Sequence, residues 1–330
     1  MGLSMPQYNE LPEVLPGYRC SWDYFNRLPE KKGEKDQLGT LNFLTPERRC
    51  AAAQEIKSGE PISLDLPVDH FKADISAFGG RPVPKHTLKR AAPFCHEDEV
   101  EFNTQSSSQW DGFRHFALRP NCTFYNGYTA EQFAKSDVLG IQSWVKSGGI
   151  SGRGVLIDFE SWAKTHNIPF NVNGGTRITL SCIQTILKAQ NTTVQPGDIL
   201  IFRTGWLHWY NTTPADERHD ILCIQHAPGT HSFIGLAQEK DFVEWLWNNQ
   251  IAAVAGDQVA FEATPPPEKG FGWLHEHLLA AIGCPMGELW DTEGLSRRCK
   301  ELRRYTFFVA SVPLALVGGA ASPANAIAIF

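Results

Sequence analysis

The sequence has no long apolar run, which limits where the chain is expected to act. None of its apolar stretches approaches the ~18 residues that a membrane-spanning helix needs. The first segment, Met1 to Tyr18, is polar and interrupted by prolines, and it lacks the apolar centre of a signal peptide. We therefore expect no membrane contact and a cytoplasmic location.

Strong charge of either sign is also absent. The chain has 30 lysines and arginines against 36 acidic residues, a net charge of −6 at pH 7, and no basic run. Nucleic acids and anionic membranes are bound through basic patches. Both are therefore poor candidates as partners.

Cysteine is present, but it is not organised into pairs. The eight cysteines are scattered, at positions 20, 50, 95, 122, 182, 223, 284 and 299, with no CxxC motif. A disulfide framework or a zinc knuckle requires paired spacing. The pattern excludes both and favours a reduced, cytosolic protein.

The 330 residues suffice for a large domain with a buried core. Residues 1–40 mix proline, glycine and charge, and predict an N-terminal extension, whereas residues 41–330 are assigned to one domain. Apolar strand patterns at 199–202 and 251–255 follow helical patterns at 181–190 and 236–249. This alternation predicts an α/β fold with a substantial sheet.

The most informative stretch is 105–116, QSSSQWDGFRHF, in which polar side chains recur at odd positions. Gln105, Gln109, Asp111 and His115 would project from one face of an extended strand. An acid and an imidazole beside amide groups can form a proton-transfer site or a site for a hard metal ion. The alternative is structural: Asp111 caps a turn and His115 makes a local hydrogen bond.

This stretch resembles the signature of the cyclase family, which includes bacterial-type kynurenine formamidase and isatin hydrolase. That signature reads His-x-Gly-Thr-His-x-Asp-x-Pro-x-His. Asp111 and His115 match its Asp and its last His, whereas Gln105 and Gln109 stand where its two metal-binding histidines belong. Further similar segments follow in the family's order: 149–158, 195–206, 254–262, 275–288 and 313–327.

The resemblance implies a single domain of the swivelling β/α/β type, with a central mixed sheet and flanking helices, that forms a homodimer or homotetramer. It also implies a metal site formed by Asp111, His275 and Glu288, with Gln105 and Gln109 as weak ligands. His277 competes with His275, which the Leu278-Leu279 spacing favours.

Because of the two glutamines, the sequence does not determine which metal is bound or whether one is bound at all. A glutamine amide oxygen is a weaker zinc ligand than an imidazole nitrogen. The alternatives are an oxygen-rich site for manganese or magnesium, a weak zinc site, or no metal at all.

The expected function is a hydrolase or cyclase that acts on a small cyclic or carbonyl-bearing substrate, with His115 as general acid/base. In a metal-free alternative, Asp111 and His115 transfer protons for ring closure, dehydration or isomerisation, and Gln105 and Gln109 bind substrate oxygens. A further alternative is a non-catalytic binding protein on the same fold.

Aromatic residues near these segments predict a flat, aromatic substrate pocket. Trp110, Tyr125 and Trp206 are the candidate substrate contacts, and core packing is the alternative role for each tryptophan. The Gly/Pro-rich stretch 67–92 predicts a long loop, which in a compact domain is usually functional. Its His86 is interpreted as a surface residue.

Overall fold

The computed structural model describes residues 4–31, 33–224, 232–268 and 270–330. Within these ranges the strands are β1 (Glu13–Leu15), β2 (Tyr18–Arg19), β3 (Pro61–Ser63), β4 (Lys85–Ala92), β5 (Cys95–Glu101), β6 (Gln109–Asp111), β7 (Ile150–Asp158), β8 (Arg177–Ile178), β9 (Ile199–Arg203), β10 (Gly235–Leu236), β11 (Ala253–Gly256), β12 (Met286–Glu288), β13 (Thr306–Ser311), β14 (Ala321–Pro323) and β15 (Ala326–Ile329).

The α-helices of the described residues are α1 (Trp22–Asn26), α2 (Pro46–Ala52), α3 (Ala130–Phe133), α4 (Gln142–Lys146), α5 (Phe159–Thr165), α6 (Leu180–Ala189), α7 (Trp206–Thr212), α8 (Ala215–His219), α9 (Lys240–Asn248) and α10 (Glu293–Leu302). Short 3₁₀ helices lie at Tyr8–Glu10, Pro29–Lys31, Gly39–Phe43, Ala53–Glu55, Ile75–Ala77 and Tyr125–Gly127, and π-helical segments at Asp220–Ile224 and Glu276–Ile282. In the described ranges no helix is both long enough and apolar enough to cross a bilayer.

The fold is built on a nine-stranded sheet with the order β14-β6-β12-β11-β9-β7-β13-β15-β3. The inner strands β7, β9, β11 and β12 are parallel, and the outer strands pair antiparallel with their neighbours. The predicted α/β class with a central mixed sheet is therefore confirmed.

The parallel strands are apolar and buried, as is typical of a sheet that is covered on both faces. β9, with the sequence Ile-Leu-Ile-Phe-Arg, is buried along its whole length. Since parallel strands end at the same edge, Asp158, Arg203 and Glu288 lie along one edge of the sheet, and Asp257 follows β11 there. This edge carries the polar clusters described below.

The described part of residues 1–40 packs closely against the rest of the chain. Tyr8 and Phe25 are buried, and the main-chain nitrogen of Tyr8 donates to Asn248 at the end of α9. Ser21 and Trp22 donate to the carbonyl oxygens at 282 and 280, each at 2.9 Å. The segment thus holds the π-helical segment Glu276–Ile282 in place.

The predicted long loop at 67–92 is only partly a loop. Its last residues form β4, which pairs with β5 in an exposed hairpin. Ion pairs cross this hairpin, including Lys85 with Glu101 at 3.1 Å and His86 with Asp98 at 2.5 Å. These strands were not predicted from the sequence because their side chains are polar on both faces and the alternating apolar pattern of a strand is missing.

Candidate active site

Four side chains around β6 meet at one point. Gln109 and Asp111 lie on the same face of β6, because side chains alternate along a strand. Gln105 precedes the strand, and its Nε2 donates to Asp111 Oδ1 at 2.6 Å. His115 follows the strand, and its Nε2 lies 3.3 Å from Gln105 Nε2 and 3.7 Å from Asp111 Oδ2. All four residues predicted from this stretch therefore come together.

The expectation that one extended strand brings them together is wrong. Only Gln109–Asp111 is a strand, and the residues on either side form turns and bends. Local bonds explain the turn before the strand: Ser106 Oγ donates to the carbonyl oxygen of Asn103 at 2.7 Å, and the main-chain nitrogen of Gln105 donates to Asn103 Oδ1 at 2.9 Å. Serine and asparagine side chains that bond to the neighbouring main chain favour turns over strands.

Glu288 reaches the same point from the neighbouring strand. In the antiparallel pairing of β12 with β6, Glu288 lies opposite Gln109. Gln109 Nε2 donates to Glu288 Oε2 at 2.7 Å, and the main-chain nitrogen of Phe261 donates to Glu288 Oε1 at 2.9 Å. Both oxygens of this buried carboxylate therefore accept hydrogen bonds.

His275 lies between Glu262 on one side and the carboxylates of Glu288 and Asp111 on the other. Its Nδ1 lies 2.7 Å from Glu262 Oε2, and its main-chain nitrogen donates to the other oxygen of Glu262 at 3.2 Å. Its Nε2 faces Glu288 Oε1 at 3.3 Å and Asp111 Oδ2 at 3.7 Å. A carboxylate on the far nitrogen is a common way to fix the tautomer and the orientation of a ligating histidine.

His277, the competing histidine, points elsewhere. Its Nε2 lies 2.7 Å from the carbonyl oxygen of Phe271, and its ring stacks on the Phe271 ring and the Tyr18 ring. Burial lowers the pKa of His277 to about 4. The geometry thus puts His275 rather than His277 beside Asp111 and Glu288.

We call this group the Asp111 cluster, consisting of Gln105, Gln109, Asp111, His115, Glu262, His275 and Glu288. Burial raises the pKa of Asp111, but the charges of His115 and His275 hold it below its ordinary value overall. Burial disfavours the charged form of His275, yet Glu262, Asp111 and Glu288 raise its pKa well above the usual range. Burial and the nearby Asp111 charge raise the pKa of Glu288. The carboxylates around His275 therefore favour its protonated form.

The donor atoms of this cluster also fit a divalent cation. One ligand atom each from Asp111, His115 and His275 lie within 4.8 Å of one another. Asp111 Oδ2 and Gln109 Oε1 are buried without a hydrogen-bond partner, and Glu288 Oε1 lies nearby. Carboxylate and amide oxygens with imidazole nitrogens are ligands for manganese, magnesium or zinc.

A pocket of about 480 Å³ adjoins the Asp111 cluster. Its polar lining includes His115, whose side chain is 24% exposed, together with buried His275 and Glu288. The rest of the lining is mostly apolar and consists of Ala77, Phe78, Gly79, Arg81, Phe116, Phe233, Val259, Ala260, Thr264, Pro265, Pro266 and Trp273. Such a pocket accommodates a flat apolar body with one polar end.

The three aromatic residues predicted to contact substrate are not in the described lining of this pocket. Trp110 is buried and donates from Nε1 to Ser311 Oγ at 2.9 Å. The hydroxyl of buried Tyr125 donates to Asp36 at 2.9 Å, and Trp206 packs inside the core. Their positions match the alternative of core packing, because tryptophan and tyrosine bury large apolar areas.

Arg81 and Glu262 belong to the site but were not predicted as site residues. Arg81 lies in the Gly/Pro-rich stretch that the sequence marked as functional, and this position was the available signal. Glu262 lies in a segment similar to the cyclase family. The pairing of ligating histidines with carboxylates would have drawn attention to it.

A second group of charges, the Arg203 cluster, lies along the same sheet edge and consists of Asp158, Glu160, Arg203, His208 and Glu293. Arg203 Nη1 contacts Asp158 at 3.0 Å, its Nε contacts Glu293 at 2.7 Å, and its Nη2 pairs with Glu160. Ligand atoms of Glu160, His208 and Glu293 lie within 4.8 Å of one another. However, the buried guanidinium of Arg203 already occupies the space between these carboxylates and pairs with Asp158, Glu160 and Glu293.

Comparison with known families and structures gave consistent results. The model of the cyclase family matches residues 42–263. A crystal structure described as a novel cyclase is 30% identical, with 94% of this chain and 99% of that chain covered and a TM-score of 0.77. No curated protein sequence matches the chain.

Two isatin hydrolases share the fold at lower identity. Isatin hydrolase A from Labrenzia aggregata, bound to benzyl benzoate, is 14% identical, with 82% of this chain and 93% of that chain covered and a TM-score of 0.56. Isatin hydrolase A from Ralstonia solanacearum is 15% identical, with 82% and 91% covered and a TM-score of 0.55. At this identity the likeness concerns the fold alone.

Proposed function

The chain belongs to the cyclase family, and from this premise we propose that it is an enzyme that hydrolyses or cyclises a small aromatic or cyclic carbonyl compound. His115 serves as the general acid/base. The observation that carries the proposal is the position of His115: its Nε2 is 3.7 Å from buried Asp111 Oδ2, and its side chain lines the apolar pocket. An imidazole between a fixed carboxylate and a substrate pocket is suited to proton transfer.

Gln105 prepares His115 for this role. The Gln105 amide Nε2 donates to Asp111 Oδ1 at 2.6 Å and lies 3.3 Å from His115 Nε2. When His115 Nε2 carries no proton, the second amide hydrogen of Gln105 can be donated to it, which fixes the orientation of the ring. Gln105 is thus a positioning residue for His115.

In hydrolysis, His115 Nε2 accepts a proton from the water that attacks the carbonyl carbon. Asp111 stabilises the imidazolium that forms, because opposite charges attract strongly in a buried site. A carbon–oxygen bond forms, the bond to the leaving nitrogen or oxygen breaks, and His115 returns the proton to the leaving atom. The four apolar aromatic side chains of the pocket lining, Phe78, Phe116, Phe233 and Trp273, hold the body of the substrate.

A divalent cation bound by Asp111, His275 and Glu288 would supply Lewis-acid polarisation of the substrate carbonyl. Glu262 orients His275 for this through the 2.7 Å contact to Nδ1. Gln109 Oε1 is a further oxygen donor within the same cluster.

A metal-independent cyclisation, dehydration or isomerisation is the second candidate. Its support is the way in which the glutamines and His275 satisfy the carboxylates: Gln109 Nε2 donates to Glu288 at 2.7 Å, and His275 lies between Glu288 and Glu262. In this version Asp111 and His115 exchange protons with the substrate. A glutamine amide that binds a substrate oxygen would release the carboxylate to which it now donates.

The proposal is tested with His115→Ala on a panel of formamides, lactams and lactones, with and without EDTA and with elemental analysis of the bound metal. General acid–base catalysis contributes about 10²- to 10⁴-fold, so turnover should fall by that factor. His86→Ala is the matched control, because His86 is exposed and pairs only on the surface hairpin. It should leave turnover unchanged.

The results distinguish metal-assisted hydrolysis from the metal-independent reaction and from a non-catalytic binding protein. Retained turnover in His115→Ala contradicts the role of His115. EDTA-sensitive turnover by the wild type with a stoichiometric metal favours metal-assisted hydrolysis, and insensitivity favours the second candidate. Ligand binding without any turnover would instead identify a non-catalytic binding protein.

A further inference from the structure

Arg81 is a cation in the pocket wall for which the described part of the chain offers no carboxylate at ion-pair distance. Its Nη1 donates to the carbonyl oxygen of Gln105 at 2.8 Å, and no described carboxylate lies within ion-pair distance of it. Arg203, at the sheet edge, contacts three carboxylates, and Arg119 contacts Glu276 at 3.2 Å. Among the described residues Arg81 has no such close ion pair, so its guanidinium can pair with an anionic ligand.

The chain holds Arg81 at the wall through the residues that precede it. Phe78 is buried and packs on Phe71 and Trp206. Gly79 and Gly80 then turn the chain with φ values of 78° and 71°, a left-handed conformation that favours glycine. Together with the hydrogen bond to Gln105, this anchoring limits how far the guanidinium can move from the pocket.

Arg81 lines the same pocket as the reacting groups. His115, His275 and Glu288 belong to that lining, and the Arg81 guanidinium donates to the main chain of Gln105, a member of the Asp111 cluster. A ligand in the pocket can therefore contact both Arg81 and the Asp111 cluster.

We propose that Arg81 binds a carboxylate carried by the substrate, so that the enzyme prefers aromatic or cyclic carbonyl compounds that are also acids. This inference rests on the proposed function of the same pocket. A guanidinium binds a carboxylate through two parallel N–H donors, and this geometry also fixes the ring of the ligand.

The binding test compares benzoate with neutral benzamide by isothermal titration calorimetry. A hydrogen bond to a charged group changes affinity by about 10- to 100-fold, so benzoate should bind the wild type more tightly by that factor. Arg81→Gln removes the charge but retains an amide N–H, and it should abolish the preference. Arg27→Gln is the matched control, because the Arg27 side chain is 69% exposed, pairs with Asp23 and lies outside the described lining of the pocket. It should preserve the preference.

Equal binding of the two compounds, no binding of either, or a preference that survives in Arg81→Gln would overturn the inference. A His115→Gln variant separates this result from the proposed function. The His115→Gln variant should still prefer benzoate, and this preference should depend on Arg81. If it does so while the wild type turns over none of the carbonyl compounds, the proposed function is wrong and the carboxylate site at Arg81 is supported.

Two sources of carboxylate are distinguished by kinetics. If the carboxylate is a substituent of the substrate, Arg81→Gln should raise KM about 10- to 100-fold for carboxylated lactones or lactams and leave neutral ones unchanged. If it is only the acid that hydrolysis creates, the variant should weaken product inhibition alone, and that result contradicts the stated substrate preference.

Discussion

The Asp111 cluster and the Arg203 cluster both contain three carboxylates near the edge where the parallel strands end, but they differ in the groups that neutralise these acids. In the Arg203 cluster, one buried guanidinium contacts Asp158, Glu160 and Glu293. In the Asp111 cluster, imidazoles and amide N–H groups take that place.

The difference separates a structural cluster from a reactive one. An arginine stays charged at all relevant pH values, so its ion pairs remain closed. Imidazoles exchange protons near neutral pH, and an amide can present either nitrogen or oxygen. In the Asp111 cluster, the buried oxygen Asp111 Oδ2 also accepts no hydrogen bond from the described residues, and the cluster adjoins an apolar pocket. We therefore expect chemistry at the Asp111 cluster and stabilisation at the Arg203 cluster.

The largest expected effect comes from Arg203→Met. Removing the shared cation leaves buried carboxylates unpaired, which should cost about 3–5 kcal/mol of unfolding free energy. Chemical denaturation monitored by circular dichroism measures this loss. The control is Lys164→Met, because Lys164 is 57% exposed although it pairs with Glu160. It should cost less than about 1 kcal/mol, as exposed ion pairs do. Equal effects of the two variants would break the distinction between the clusters.

The next effect concerns metal affinity. The double variant Gln105→His, Gln109→His supplies two imidazoles where the amides now donate to Asp111 and Glu288. Zinc affinity, measured by chelator competition, should rise by more than about 100-fold, since even outer-sphere changes reach that size. Gln54→His, at an exposed glutamine, is the control and should not change affinity. Unchanged zinc binding in the double variant would show that the cluster does not converge on a cation.

The smallest effect is a change in acid sensitivity. Burial raises the pKa of Asp158, but Arg203 and the hydrogen bonds from Ser296 and Ser161 lower it below its ordinary value of 3.8 overall. The stability that Asp158 contributes is therefore complete above that value and is lost as the pH falls through the folded-state pKa.

Asp158→Asn should thus reduce the slope of unfolding free energy against pH in the acid range. The change is at most about 1.4 kcal/mol per pH unit, the value for one proton. Denaturation curves at several acid pH values test this. The exposed Asp23, whose ion pair with Arg27 spans 3.8 Å, supplies the control Asp23→Asn. Identical acid slopes for the wild type and Asp158→Asn would contradict the assignment.

The sequence by itself determined the family, the α/β class and the local group around Asp111 and His115. These follow from residues close together in the chain: apolar strand patterns and motif spacing depend on local geometry. Gln105, at six residues from Asp111, shows this, since a turn brings the two into a 2.6 Å contact.

Only the tertiary structure decided which distant residues complete the site. Glu288 meets Gln109 through the register of β12 against β6, and His275 is selected over His277 because only its ring faces Glu262. The tertiary structure also shows that Trp110 lies in the core and not in the expected substrate pocket, and that Arg81 lies in the pocket wall. The physical reason is that sheet register, helix phase and core packing depend on contacts between segments far apart in the chain, which local patterns do not encode.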